Sequence, residues 1–93
     1  KKNADGVLYK AEQATFTVTA NEGIITRYTG PWTGWPQAGV LQKGQSINYS
    51  EIQKYDGHVW VSWDTFEGET VYMPVRTWNS KTGKLGPLWG TIK

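Results

Sequence analysis

The chain has 93 residues, no cysteine, one histidine and a formal net charge of +2. The missing thiols exclude disulfide staples, thiolate metal sites and a thiol nucleophile, and a lone histidine gives no basis for structural zinc. Ten Lys/Arg against eight Asp/Glu, evenly spread, form no basic face for nucleic acid, and no apolar run or signal pattern suits a membrane or a leader peptide.

Residues 1–6 are polar and read as loose. Val7-Leu8-Tyr9 and the alternating run Ala14-Thr15-Phe16-Thr17-Val18-Thr19 read as two short strands. Asn21-Glu22-Gly23 is a turn, Ile24-Ile25-Thr26-Arg27-Tyr28-Thr29 is the next strand, and Gly30-Pro31 ends it. Residues 31–39, PWTGWPQAG, form a loop with two tryptophans, followed by Val40-Leu41 and a turn at Lys43-Gly44-Gln45. Residues 45–55 alternate, with Ile47, Tyr49, Glu51, Gln53 and Tyr55 on one side and Asn48, Ser50 and Ile52 on the other. Asp56-Gly57 predicts a tight turn with positive φ. His58-Val59-Trp60-Val61-Ser62-Trp63 and Thr70-Val71-Tyr72-Met73-Pro74-Val75 then form an antiparallel hairpin around the acidic connection 64–69. Pro74 cannot donate to a ladder, so the second strand is expected to end there or lie at an edge. Asn79-Ser80-Lys81-Thr82-Gly83-Lys84 is a cluster of turn formers, and a last short strand lies near the terminus.

No stretch has a helical period, so the fold class is all-β, a small barrel or sandwich of short antiparallel strands. Its bulk comes from six tryptophans and five tyrosines, residues that bury large area while keeping a polar tip. The length suits one small domain, residues 1–93. It starts Lys1-Lys2 and is expected to be cut from a longer protein.

Catalytic chemistry finds no support. His58 reads as a strand-end histidine bonded to its neighbours, and no nucleophile–base motif, phosphate loop or metal-ligand spacing occurs. Asp64, Glu67 and Glu69 read as a solvated turn. Glu51 lies mid-strand among aromatics, so it either points to solvent or holds a ligand donor. Trp60, Trp63, Phe16 and Phe66 fit core or hairpin packing as well as contact. Tyr9, Trp35, Tyr72 and Trp89 lie near glycine or proline, where side chains more often reach a surface. No cofactor is expected, and a rigid frame with aromatic loops suits recognition of an extended chain.

Several runs also carry a family likeness. Ile24-Ile25-Thr26-Arg27, Thr29-Gly30-Pro31, Tyr55-Asp56-Gly57-His58-Val59-Trp60-Val61, Pro74-Val75-Arg76-Thr77-Trp78-Asn79 and Leu88-Trp89-Gly90-Thr91-Ile92-Lys93 together resemble the bacterial SH3 (SH3b) cell-wall-targeting domains of staphylococcal peptidoglycan hydrolases and phage endolysins. The resemblance covers about Asn3 to Lys93 and implies an SH3-like barrel that docks a hydrolase on Gram-positive peptidoglycan, outside the cell. It implies that Asn3, Tyr9, Glu51 and Tyr72, with Val7 through its backbone, hold the glycine cross-bridge. Ile25, Arg27, Trp89 and His58 would meet the stem peptide. Val7 stands where the family pattern carries a hydroxyl, and the turn 21–23 and Trp32 and Trp35 also depart from it. The resemblance implies a monomer whose partner is the peptidoglycan cross-bridge, with no nucleic acid and no membrane. Two other readings are a glycan binder stacking sugars on Trp32, Trp35 and Trp89, and a polyproline-gripping SH3 domain, which would want an acidic long loop.

Overall fold

Asp56 and Gly57 both take positive φ, 50° and 69°, which gives the turn a twist matched to the strands it joins. On either side lie β4 (Ser46–Tyr55) and β5 (His58–Asp64), paired from Tyr55↔His58 to Glu51↔Ser62. The computed structural model describes residues 7–28, 30–34 and 36–93. The expectations for the loose start, including Asn3, for Thr29 and for Trp35 lie outside the described residues.

The remaining strands are β1 (Leu8–Val18), β2 (Ile24–Tyr28), β3 (Gln37–Leu41), β6 (Thr70–Thr77) and β7 (Gly90–Ile92). All pairings are antiparallel, in one sheet of order β3-β2-β6-β5-β4-β1-β7. No helix occurs among the described residues. The all-β expectation therefore holds. Three strands separate β1 from β2 in the sheet, yet Phe16 and Val18 of β1 and Ile24 of β2 share one cluster with Tyr49, Val59, Val61, Met73 and Val75. Only a sheet coiled around its own inner face brings them together. Each large apolar side chain buried there stabilises the fold by about 1.5–3 kcal/mol.

Two local readings need correction. The two short strands expected at 7–9 and 14–19 are one strand, β1. Its register slips between Ala11↔Glu51 and Ala14↔Tyr49, so a bulge absorbs the polar residues 12 and 13 without breaking the strand. β6 neither stops at Pro74 nor lies at an edge. It runs on to Thr77 between β2 and β5. The register slips again, with Trp60↔Pro74 and Val59↔Arg76, while the ladder to β2 reaches only Tyr72. Pro74 thus stands beside a bulge, a place within a sheet where proline's missing N–H is tolerated. The loop read as 31–39 is also shorter, since β3 starts at Gln37.

β7 closes the far edge because Gly90 has no side chain. A Cβ there would stand 2.2 Å from the Thr17 carbonyl oxygen and 2.4 Å from Phe16 Cζ. That close approach lets Phe16↔Ile92 and Val18↔Gly90 pair.

Candidate binding site

β5 is buried along both faces, from Val59 to Ser62. Val59 and Val61 enter the main cluster, while Trp60 and Ser62 alternate to the other side. On that second side the register aligns two rows. Arg27, Tyr72, Ser62, Glu51 and Ala11 are successive cross-strand partners through β2, β6, β5, β4 and β1. Pro74, Trp60, Gln53 and Tyr9 form the adjoining row. Directly opposed antiparallel residues share a face, so Tyr9, Glu51, Tyr72 and Arg27 stand on one face within two neighbouring rows.

The chemistry of this face is specific. Gln53 Nε2 donates to Glu51 Oε1 at 2.8 Å and to Ser62 Oγ at 2.7 Å. Tyr72 is half-buried. Its phenol is pushed above its ordinary pKa by burial first, then by the nearby charges of Glu51 and Asp64. At neutral pH the face thus offers a carboxylate acceptor beside a neutral phenol that can donate or accept. Tyr9 walls a hollow of about 280 Å³ with Leu8, Ile52, Gln53 and Lys54. Val7 is buried just before β1. Glu51 is half-buried, and its Oε1 accepts from Gln53 Nε2.

A second cavity, about 430 Å³, is lined by Ala20, Glu22, Ile25, Arg27, Pro74 and Trp89, among others. It contains three of the four residues expected for a stem contact. His58 joins them through Trp89, with ring centroids 6.0 Å apart at 63°. His58 also stands edge-on to Trp60, and its Nδ1 lies 2.6 Å from the Asp56 carbonyl oxygen. It is therefore a bonded strand-end histidine that meets the cavity only through Trp89. Arg27 and Pro74 belong both to the aligned rows and to this cavity, so the two regions adjoin. A larger open hollow, about 610 Å³, lies over the turn from Thr77 to Gly86 and contains none of the candidate residues.

The aromatics also sort. Phe16 and Trp60 are fully buried, Trp63 packs on the main cluster, and Phe66 is fully exposed at the β5–β6 turn. Trp32 lies across Gly34 of its own loop, and Trp89 packs against the core. Of the two, Trp32 is the exposed one, at 42%. Sequence reasoning missed Gln53 and Ser62. The only signal was that Gln53 shares the alternation of Glu51. Among the described residues no group of three His, Cys, Asp or Glu is placed to hold a metal, and no helix is long and apolar enough to cross a membrane.

A family profile described as "Bacterial SH3 domain" matches residues 8–75. Endolysin 2638A of Staphylococcus phage 2638A is 78% identical over all 93 residues, and glycyl-glycine endopeptidase ALE-1 of Staphylococcus capitis is 61% identical over the same length. The chain spans 19% of the first relative and 25% of the second. Among solved structures, the lysostaphin SH3b domain in a P4-G5 complex superposes with a TM-score of 0.96 at 55% identity, covering 100% of this chain and 98% of that one.

Proposed function

This chain belongs to the bacterial SH3 domain family, and from that premise we propose that it is a non-catalytic cell-wall-targeting module. Residues 1–93 act as one binding domain of a longer peptidoglycan hydrolase. Its ligand is the oligoglycine cross-bridge of staphylococcal-type peptidoglycan with the adjoining stem peptide, and it works at the wall, outside the cell, as a monomer. Asn3, Tyr9, Glu51 and Tyr72, with the Val7 backbone, hold the bridge. Ile25, Arg27, His58 and Trp89 hold the stem. The observation that carries this reading is the full-length likeness to the lysostaphin SH3b domain of the P4-G5 complex. The relative that is a glycyl-glycine endopeptidase points to the same bridge.

The physics of such a ligand suits the face described. Glycine has no Cβ, so walls can close on both sides of its backbone, and recognition rests on hydrogen bonds to amides. Any side chain is excluded by the same walls. Glycine also loses the most conformational freedom on ordering, so one site binds weakly. A wall repeats the bridge many times, and attachment through several contacts offsets that weakness.

Calorimetric titration with pentaglycine, with a soluble wall glycan and with a proline-rich peptide tests the reading. Binding to pentaglycine alone is expected. Binding to the glycan alone would replace the bridge with the sugar as ligand.

A further inference from the structure

β4 places Glu51 and Gln53 two residues apart on one face, and between them runs a network that the binding reading does not use. Gln53 is 2% exposed and Ser62 is 3% exposed. The amide nitrogen of Gln53 spends both hydrogens, one on Glu51 Oε1 (2.8 Å) and one on Ser62 Oγ (2.7 Å). Its carbonyl oxygen, Oε1, is buried with no hydrogen-bond partner among the described residues. Reversing the amide would turn that carbonyl onto a carboxylate, so the network itself fixes which way Gln53 points. Glu51 itself is half-buried, so its carboxylate still reaches the surface of that face.

A buried amide with an unmet acceptor is an unfavourable way to fill space. A methionine of similar length would occupy it without desolvating a carbonyl. Retaining the amide makes sense only if its two donors do something that packing cannot. We propose that Gln53 is a positioning residue of the binding face, which holds the Glu51 carboxylate in one orientation to accept from a ligand N–H. The inference rests on the bridge reading of the groove.

Its consequence is directional. A glutamate side chain has several rotatable bonds, and ordering them on binding weakens affinity. Gln53, held at its other hydrogen by Ser62 of β5, orders them beforehand. A bare-backbone ligand offers only N–H and C=O groups to read. A carboxylate fixed in direction therefore sets which amide of the bridge is gripped, whereas a swinging one would accept several registers.

The test uses Gln53→Met, Ser62→Ala, Glu51→Gln and the double variant Gln53→Met/Glu51→Gln. Thermal midpoints and pentaglycine affinities are measured for each, and the side-chain amide of Gln53 is followed by NMR in the free protein. Gln53→Met is expected to stay folded while weakening pentaglycine binding about five-fold or more, within the coupling seen between contacting residues. Ser62→Ala, which frees the amide on its far side, weakens binding less. In the Glu51→Gln background, Gln53→Met adds no further loss. Without ligand, the Gln53 amide protons exchange slowly, and one shifts on Glu51→Gln. Unchanged affinity in Gln53→Met overturns the inference, as does an equal loss with and without the carboxylate. If the wild type binds no pentaglycine, the bridge reading fails by itself. The amide signal then still decides: unmoved by Glu51→Gln, it overturns the positioning role, and shifted, it supports it.

Discussion

Trp60 and Tyr72 occupy adjoining rows of one sheet face, yet truncating them should have opposite consequences. Trp60 is 0% exposed, and its Nε1 donates to the Tyr55 carbonyl at 2.9 Å. Trp60→Ala empties a large site and strands that carbonyl, a loss of about 3–5 kcal/mol. A chain of 93 residues is stable by only about 5–14 kcal/mol. The loss therefore removes much of the margin and lowers the thermal midpoint by about 12 °C or more. Tyr72 is half-buried and outside the main cluster. Tyr72→Ala should cost about 1 kcal/mol of stability, the usual value for a point change. Its binding loss should be larger, about 1–3 kcal/mol for a contact aromatic, or several-fold to over a hundred-fold. Calorimetry for the midpoints and co-sedimentation with purified staphylococcal walls for binding separate the two. A folded Tyr72→Ala that sediments like wild type would place the groove elsewhere. A stable Trp60→Ala would refute the packing argument.

Other outcomes follow from single contacts. Gly90→Ala drives a methyl into Thr17 and Phe16 and should cost about 1–3 kcal/mol in chemical denaturation, with loss of slow amide exchange in β7; wild-type stability would refute the close approach. Tyr49 and Tyr72 both have raised pKa values, Tyr49 through burial, a hydrogen bond to Glu12 and that group's charge. An unfolded tyrosine titrates near 10, so both phenols favour the folded state below that pH and the advantage drains away as pH climbs above it. Ultraviolet titration should show these two of the five tyrosines ionising late, with stability falling only on the alkaline side; uniform titration near 10 would contradict it. Asp56 Oδ2 accepts from Thr33 N at 3.0 Å and from Thr33 Oγ1 at 2.9 Å, at a residue with positive φ. Asp56→Ala should cost about 1–2 kcal/mol by denaturation, and Asp56→Asn distinctly less, because asparagine tolerates that backbone; equal losses would remove the backbone part of the account.

The turns were legible because each needs a residue type that names itself, as at Asp56-Gly57, Asn21-Glu22-Gly23 and Lys43-Gly44. The side-chain alternation of β4 was legible for the same local reason. The bulges in β1 and β6 were not, since a bulge is defined by the partner strand and no single strand shows it. Pro74 therefore read as a stop where it sits beside an extra residue. Period two tells which residues share a face, not which face is covered. Because β5 is buried on both sides, that left Glu51 open and hid Gln53 and Ser62, nine positions apart and joined only by strand pairing.

The central claim is that the groove reads a chain by what it lacks. Pentaglycine and a matching peptide with central serines differ only by hydroxymethyl groups, which a groove walled by Tyr9 and Tyr72, as proposed, would exclude. Forcing such a group in costs about 1–3 kcal/mol by overpacking, a several-fold to hundred-fold loss of affinity. Titrated side by side by calorimetry, pentaglycine should bind and the serine peptide should bind at least several-fold worse, with serine-bridged walls retaining less of the protein. Equal binding to both peptides and both walls would contradict the account and move recognition to the glycan, which is the same in each.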